Sequence, residues 1–187
     1  MRTPITAPIA AAAVAAAVLP LALAAPAHAE RYGIDDPRDT HHGSDLHSAT
    51  VRHGAASLDV TTQHVNLRRS PATGSGAMVF VDTDRADAGP EYVLAGGFYR
   101  GTDYVLRETD GFARKTWGDP VEHGDYVMRV DYAQDTVRFR IHRPGIGDPD
   151  DARVAVRVAG TRNDGSSHGL VDWLGEPRSF TPWIAHG

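Results

Sequence analysis

The 187-residue chain contains no cysteine and a single lysine, Lys115. Without cysteine the protein has no disulfide, no thiol nucleophile and no zinc site built on thiolates. Aromatic residues make up only 7% of the chain, and the one long apolar run lies at the N-terminus. The formal net charge is −5 at pH 7. This acidic balance argues against nucleic acid or an anionic membrane surface as a partner.

The first 29 residues have the three parts of a secretory signal peptide. Arg2 provides a basic start, an Ala/Val/Leu-rich run extends from Ile9 to Ala25, and Ala27-His28-Ala29 is a small-x-small cleavage site. The run is broken by Pro20 and has no charged anchor, which favours a cleaved signal over a retained membrane span. We therefore expect cleavage near Ala29-Glu30, secretion, and no membrane span after processing.

The rest of the chain divides into a leader and one domain. Residues 30–46 are rich in Asp and His and show neither helical nor strand periodicity, so we expect a flexible polar leader. Residues 47–187 are long enough for a single domain with its own core. We take a monomer as the default oligomeric state.

Short runs with period-two alternation dominate this domain. Leu58–Asn66 alternates after a turn at Gly54, and Tyr126–Tyr132 with Thr136–His142 forms the clearest hairpin pattern. Ala77–Val81 is apolar throughout, as in a strand buried on both sides. A further strand is predicted over Phe112–Trp117. The pattern predicts an all-β fold, an antiparallel β-sandwich of jelly-roll-like type with about eight or nine strands and little helix outside the signal peptide.

The best candidate metal site is the acidic loop that follows the buried strand. Its carboxylates, with one from a neighbouring strand, are Asp82, Asp84, Asp87, Glu91 and Asp103. Ca²⁺ takes six to eight oxygen ligands, which such a loop can supply, although the EF-hand spacing is not met. The alternative is a solvated turn whose Asp side chains accept hydrogen bonds from backbone amides.

The leader is the second candidate metal site. Its imidazoles and carboxylates could capture Zn²⁺ or Cu²⁺, but no framework to hold them is visible in the sequence. The residues concerned are Asp39, His41, His42, Asp45 and His47.

The motifs of common hydrolases are missing from the sequence. There is no Gly-x-Ser-x-Gly, no His-Glu-x-x-His and no Ser-x-x-Lys. We therefore assign no catalytic residue and expect a protein that binds without catalysis. Aromatic faces for stacking against a cell-wall or polysaccharide ligand are the best candidates for a binding site, with Trp117 best placed and Tyr92 and Tyr104 beside it as strand residues.

A series of short motifs runs in fixed order along the mature chain. They are Ala-x-Val-x-His-Gly at 49–54, Val-Asn-Leu-Arg-Arg at 65–69, Phe-Val-Asp-Thr-Asp at 80–84, Gly-Pro-Glu-Tyr at 89–92, Gly-Thr-Asp-Tyr at 101–104, Arg-Pro-Gly-Ile-Gly at 143–147 and Val-Asp-Trp at 171–173. With these motifs the chain resembles a group of small secreted proteins of unknown function from high-GC bacteria. The resemblance implies a compact exported domain and no activity. More distantly, the Asp-Thr-Asp and Tyr pattern is similar to carbohydrate-binding-type sandwich modules.

The same resemblance implies the loss of a disulfide. Members of the group often carry two cysteines, at positions that correspond to His123 and Ile146 here. Losing a bridge between neighbouring strands typically costs ~2 to 5 kcal/mol unless packing offsets it.

Three functions follow as expectations. The first is a secreted, non-catalytic binding or envelope-associated module with a structural Ca²⁺ site in the loop after Val81. The second is an extracellular hydrolase that acts on cell-wall or polysaccharide substrates through the same carboxylates. The third is an inert envelope protein.

Overall fold

A computed structural model describes residues 29–121, 126–162, 164–166 and 168–187. The predicted signal peptide, apart from Ala29, lies outside the described residues, and so does His123. Twelve strands make up most of the described chain: β1 Glu30–Asp35, β2 Leu46–His53, β3 Ser57–His64, β4 Ser75–Asp82, β5 Tyr92–Gly97, β6 Tyr104–Thr109, β7 Trp117–Pro120, β8 Tyr126–Asp131, β9 Thr136–His142, β10 Asp151–Gly160, β11 Val171–Trp173 and β12 Ile184–Ala185. Three short 3₁₀ turns, Pro71–Thr73, Arg114–Thr116 and Arg143–Ile146, are the helical segments there.

The strands form two antiparallel sheets. The five-stranded sheet has the order β1-β2-β3-β9-β8, and the seven-stranded sheet has the order β11-β10-β4-β5-β6-β7 with β12 paired to β10. The two sheets pack face to face, so the prediction of an all-β antiparallel sandwich is confirmed. No helix of the described residues is long and apolar enough to cross a bilayer.

The main core lies between the two sheets. Successive side chains of a strand point to opposite faces, so Val79 and Val81 of β4 enter this core together with Leu94 and Phe139. Phe80, between the two valines, belongs to a second apolar cluster. That cluster therefore covers the outer face of the seven-stranded sheet, and β4 is buried on both sides as its continuous apolar run predicts.

The outer cluster is built from aromatic residues that come from distant parts of the chain. Its buried members are Phe80, Val93 and Ala155, and Met78, Phe112, Trp117, Trp173 and Phe180 pack against them. The aromatic C-terminal segment thus closes an apolar surface, and Ile184 of β12 reaches the main core.

The segment predicted to be a flexible polar leader instead contains a strand and several buried residues. Glu30–Asp35 forms β1 and pairs with β2, and His42, Ser44 and Asp45 are buried. Tyr32 and Ile34 pack against the main core with period two, a signal too short to stand out among the surrounding polar residues.

One further strand prediction needs correction, and three strands of the structure were missed. Phe112–Trp117 is not a strand, because Arg114–Thr116 forms a 3₁₀ turn and β7 begins only at Trp117. Three strands were not predicted at all: β1, β11 and β12. The last two have three and two residues, and runs so short show no alternation in sequence.

We predict that His53 makes the fold sensitive to acid. Its side chain is fully buried, its Nδ1 donates to the carbonyl of Ile184 at 2.9 Å, and its Nε2 has no partner. Burial lowers the pKa of His53, and the Ile184 carbonyl opposes this only in part. The unfolded chain therefore binds the proton more readily, so the stability is complete above the ordinary His pKa of about 6.5 and is lost as the pH falls below it.

Urea unfolding from about pH 7.5 to about pH 5.5 measures this effect. One proton contributes at most about 1.4 kcal/mol of unfolding free energy per pH unit, and we expect His53→Phe to flatten the pH dependence by up to that amount. The exposed His168→Gln is the matched control and keeps the wild-type slope. Equal slopes in His53→Phe and wild type would contradict the assignment.

Candidate functional site

Asp82, the first carboxylate of the predicted calcium loop, is engaged in an ion pair. It ends β4, its side chain is fully buried, and its Oδ2 lies 2.6 Å from Nη2 and 2.7 Å from Nε of Arg153. Arg153 in turn lies over the rings of Phe180 and Trp183. Burial raises the pKa of Asp82, and the facing guanidinium works against that rise. We therefore expect the ion pair between Asp82 and Arg153 to stabilise this end of the sandwich.

The other carboxylates of the loop satisfy backbone amides. Glu91 Oε2 accepts from Thr83 N at 2.6 Å, Asp84 Oδ1 from Ala86 N at 2.8 Å and Asp87 Oδ1 from Ala88 N at 2.7 Å. Asp103 precedes β6 and lies beside the Gly97 end of β5, whereas the loop joins β5 at Tyr92, the opposite end.

The five predicted ligands are thus not gathered into one site. Among the described residues, three or more potential metal ligands converge at a different place. The arrangement after Val81 matches the alternative reading, a turn whose Asp side chains accept from the backbone.

The three predicted stacking residues lie on two faces of the sheet. Tyr92 and Tyr104 pack against the main core, and the ring of Tyr104 meets that of Tyr126 edge to face with centroids 6.1 Å apart. Trp117 belongs to the outer cluster. A single ligand therefore cannot stack on all three rings. The strand period alone did not reveal this, because the face that each residue takes depends on the pairing of its strand.

Trp117 lines a groove on the outer face of the seven-stranded sheet. The groove has a volume of about 810 Å³, and Gly76, Ala95, Gly97 and Ala159 are among the small residues that line it. Tyr99, which sequence reasoning missed, lines the groove as well. Its ring rests on Gly97, where an added Cβ would lie 2.6 Å from Tyr99 Cε1. The Gly96-Gly97 pair was the sequence signal for this close approach.

The charge in the groove is largely positive. Arg107 and Arg114 line it, and neither forms an ion pair within the described residues. Arg157 lies beside the groove, with its Nη1 3.8 Å from Sδ of Met78, which is one of the lining residues. Burial and the nearby positive charge of Arg114 lower the pKa of Arg157. Arg114 also lies over the Trp117 ring, 5.4 Å from its centroid. Asp103 is the one carboxylate among the lining residues that the structure describes.

A second site lies where the N-terminal segment meets β11. One carboxylate oxygen each from Asp39, Asp45 and Asp172 lies within 4.8 Å of the others, and this group could hold a metal ion. Asp39 and Asp45 belong to the predicted zinc or copper leader, but no histidine of that leader is part of the group. His42 Nδ1 instead accepts from Ser44 N at 3.2 Å. Asp172 was not predicted, because it lies far away in sequence.

The outer face of the five-stranded sheet carries a different basic surface. Arg138 and Arg140 of β9 both bind Asp59 of β3, at 2.8 and 2.9 Å. Arg129 of β8 lies opposite Arg138 and is exposed. This surface has no aromatic residue at its centre, where Val127 and three arginines form a small depression.

Ile146 is 1% exposed and contributes to the main core. His123 lies outside the described residues, so the loss of a disulfide stays a prediction. Comparison of the chain with protein families, with curated proteins and with solved structures returned no match.

We predict that Asp82 stabilises the fold through Arg153. Asp82→Asn removes the charge that the half-buried guanidinium faces, and loss of one partner from a fully buried pair costs about 3 to 5 kcal/mol. Because the Arg153 side chain is 28% exposed, water screens part of this interaction, and we expect a loss of about 2 kcal/mol in the free energy of unfolding.

Urea unfolding of matched variants tests this expectation. Asp87→Asn is the control from the same loop, since Asp87 is exposed, and should stay within about 0.5 kcal/mol of wild type. If both variants are equally stable, Asp82 and Arg153 contribute no more than a surface pair.

Proposed function

We propose that this protein is an exported, non-catalytic binding module, and that the groove around Trp117 takes an acidic saccharide. The observation that carries the proposal is the juxtaposition, in one concave surface, of aromatic rings, small residues and two arginines that form no ion pair with any described residue. Export is supported by the signal-peptide features of the first 29 residues.

The shape of the groove suits a chain of sugar rings. Its volume of about 810 Å³ falls in the range typical of ligand sites, and the small residues leave room for a ring to approach the backbone. A flat ligand would rest on Gly76 and Ala95, on neighbouring strands of the sheet, beside the Tyr99 ring that covers Gly97.

Trp117 and Tyr99 supply the apolar contacts. Both side chains are half-buried, so each is held by the protein and still presents part of its ring. Carbon-bound hydrogens on one face of a sugar ring pack against such rings, and the large apolar area of an aromatic side chain makes this contact favourable.

The arginines select for negative charge. A guanidinium donates two parallel hydrogen bonds to a carboxylate, and Arg107 and Arg114 both line the groove. Arg157, beside the groove, adds to the positive charge around Arg114. Arg107 Nη1 donates to the carbonyl of Gly118 at 3.0 Å, and this hydrogen bond fixes the guanidinium at the side of the groove. A uronic acid unit combines the carboxylate and the ring that these groups suit.

The rival function, an extracellular hydrolase, has weaker support at this site. Cleavage of a glycosidic bond uses two carboxyl groups about ~5 to 9.5 Å apart on either side of the bond. Asp103 is the one carboxylate among the described residues of the groove, and its Oδ1 accepts from Tyr104 N at 2.8 Å. The geometry therefore favours binding.

Titration calorimetry with oligomers of a uronic acid, and with neutral hexose oligomers of the same length and linkage, tests the proposal. We expect Arg114→Gln to weaken binding of the acidic oligomer about tenfold, equivalent to about 1.4 kcal/mol, since it removes a charge-assisted hydrogen bond. Wild-type binding should also weaken as salt is added, because ions screen the attraction.

Arg129→Gln is the matched control. It removes the same charge from the outer face of the other sheet and should bind as wild type does. Trp117→Leu should weaken acidic and neutral oligomers alike, and its circular dichroism spectrum reports whether the outer cluster is retained. The proposal fails if neutral oligomers bind as tightly as acidic ones, or if Arg129→Gln loses as much affinity as Arg114→Gln.

A further inference from the structure

Asp45 is a buried carboxylate that the protein satisfies only in part. Its side chain is fully buried, and its Oδ1 accepts from Asp39 N at 3.0 Å and from Thr40 N at 2.9 Å. Its Oδ2 is buried with no hydrogen-bond partner. A buried charged oxygen without a partner carries a large desolvation cost, and a positively charged ligand bound to this atom would offset that cost.

Asp45 is one of three carboxylates that converge. An oxygen of Asp45 lies within 4.8 Å of one from Asp39 and one from Asp172. Asp36 is close enough for its charge to act on Asp39 and Asp172. Burial, with the charges of Asp36 and Asp39, raises the pKa of Asp172 to about 6.

The described residues supply no counter-charge to this group. None of its three carboxylates forms an ion pair with an arginine or lysine there. His64 interacts with Asp45, but burial lowers the pKa of His64 to about 4, so this imidazole is neutral at pH 7. Among the described residues, no arginine or lysine therefore compensates the negative charge of these carboxylates.

We propose that Asp39, Asp45 and Asp172 bind a Ca²⁺ ion. The ligands are carboxylate oxygens alone, which suit a hard cation and not Zn²⁺ or Cu²⁺. Three carboxylates in monodentate or bidentate mode provide three to six oxygens, and water on the exposed side of Asp39 completes the six to eight that Ca²⁺ takes. Mg²⁺ demands a more regular octahedron, so we expect it to bind this site more weakly than Ca²⁺ does.

Such an ion would tie the two sheets together. Asp45 immediately precedes β2 of the five-stranded sheet, and Asp172 belongs to β11 of the seven-stranded sheet. Asp172 Oδ2 already accepts from Leu46 N at 2.8 Å across 126 residues of sequence. The ion would add to this contact and would hold the segment around Asp39 against the edge of the sandwich.

Thermal and urea unfolding of the mature chain with CaCl₂ alone tests the site. A ligand that binds only the native state multiplies the folding equilibrium constant by one plus the ratio of its concentration to its Kd. For a Kd of about 0.1 to 1 mM, as in extracellular calcium sites, about 5 mM Ca²⁺ should raise that constant roughly 5- to 50-fold. The same MgCl₂ concentration should raise it less.

Asp39→Asn is the decisive variant, because this side chain is exposed and the buried hydrogen bonds of Asp45 remain. It should fold without Ca²⁺ and lose most of the calcium effect. The double variant Asp84→Asn with Asp87→Asn is the matched control, takes two charges from the loop after Val81, and should keep the full effect. Terbium luminescence excited through Trp173, next to Asp172, gives a second readout and should be lost in Asp39→Asn alone.

Two results would overturn the site. One is a wild-type protein whose unfolding is the same with EDTA and with millimolar Ca²⁺, which would mean that shared protons relieve the repulsion. The other is loss of the calcium effect in the loop variant and its retention in Asp39→Asn. Neither result bears on saccharide binding, which is measured on the other face of the sheet.

Discussion

The fold depends on β4 being apolar on both faces. This strand lies between β10 and β5, so its valines fill the space between the sheets while Phe80 points outward. An outward Phe80 has to be covered, and Phe112 and Trp173 cover it, with ring centroids 4.8 and 6.1 Å away. Trp173 and Phe180 near the C-terminus are thereby drawn onto the outer face. The groove begins where this aromatic cover ends.

Asp82 shows why the calcium loop was a reasonable prediction and what sequence reasoning could not see there. A carboxylate directly after a buried strand suggests a rigid ligand position, and the sequence around it is rich in acid. The partner of its Oδ2, Arg153, lies in β10, which pairs with β4 only because of the sheet order. The guanidinium binds Oδ2, whereas Oδ1 is buried with no partner among the described residues, and the calcium site in this loop stays a prediction. No local pattern reveals such a cross-strand partner.

The general architecture was predictable because alternation is a local property. The two hairpins, β2–β3 and β8–β9, have clear period-two runs, and the run Ala77–Val81 indicated a strand covered on both sides. The candidate sites were not predictable in the same way. The acidic group joins Asp45 to Asp172 across most of the chain, and the groove joins Trp117 to Gly76 and Ala159 through strand order.

The short strand β11 connects the two proposed sites while keeping them apart. Asp172 lies opposite Val158, which faces the core, and Trp173 lies opposite Arg157 on the outer face. Adjacent residues thus serve opposite faces of one sheet, as the strand period requires. Trp173 belongs to the same outer cluster as Trp117, which lines the groove, so the backbone of β11 separates the proposed cation from the aromatic residues beside the proposed saccharide site. Because the two ligands would lie on opposite faces of this sheet, each site can be tested without the other.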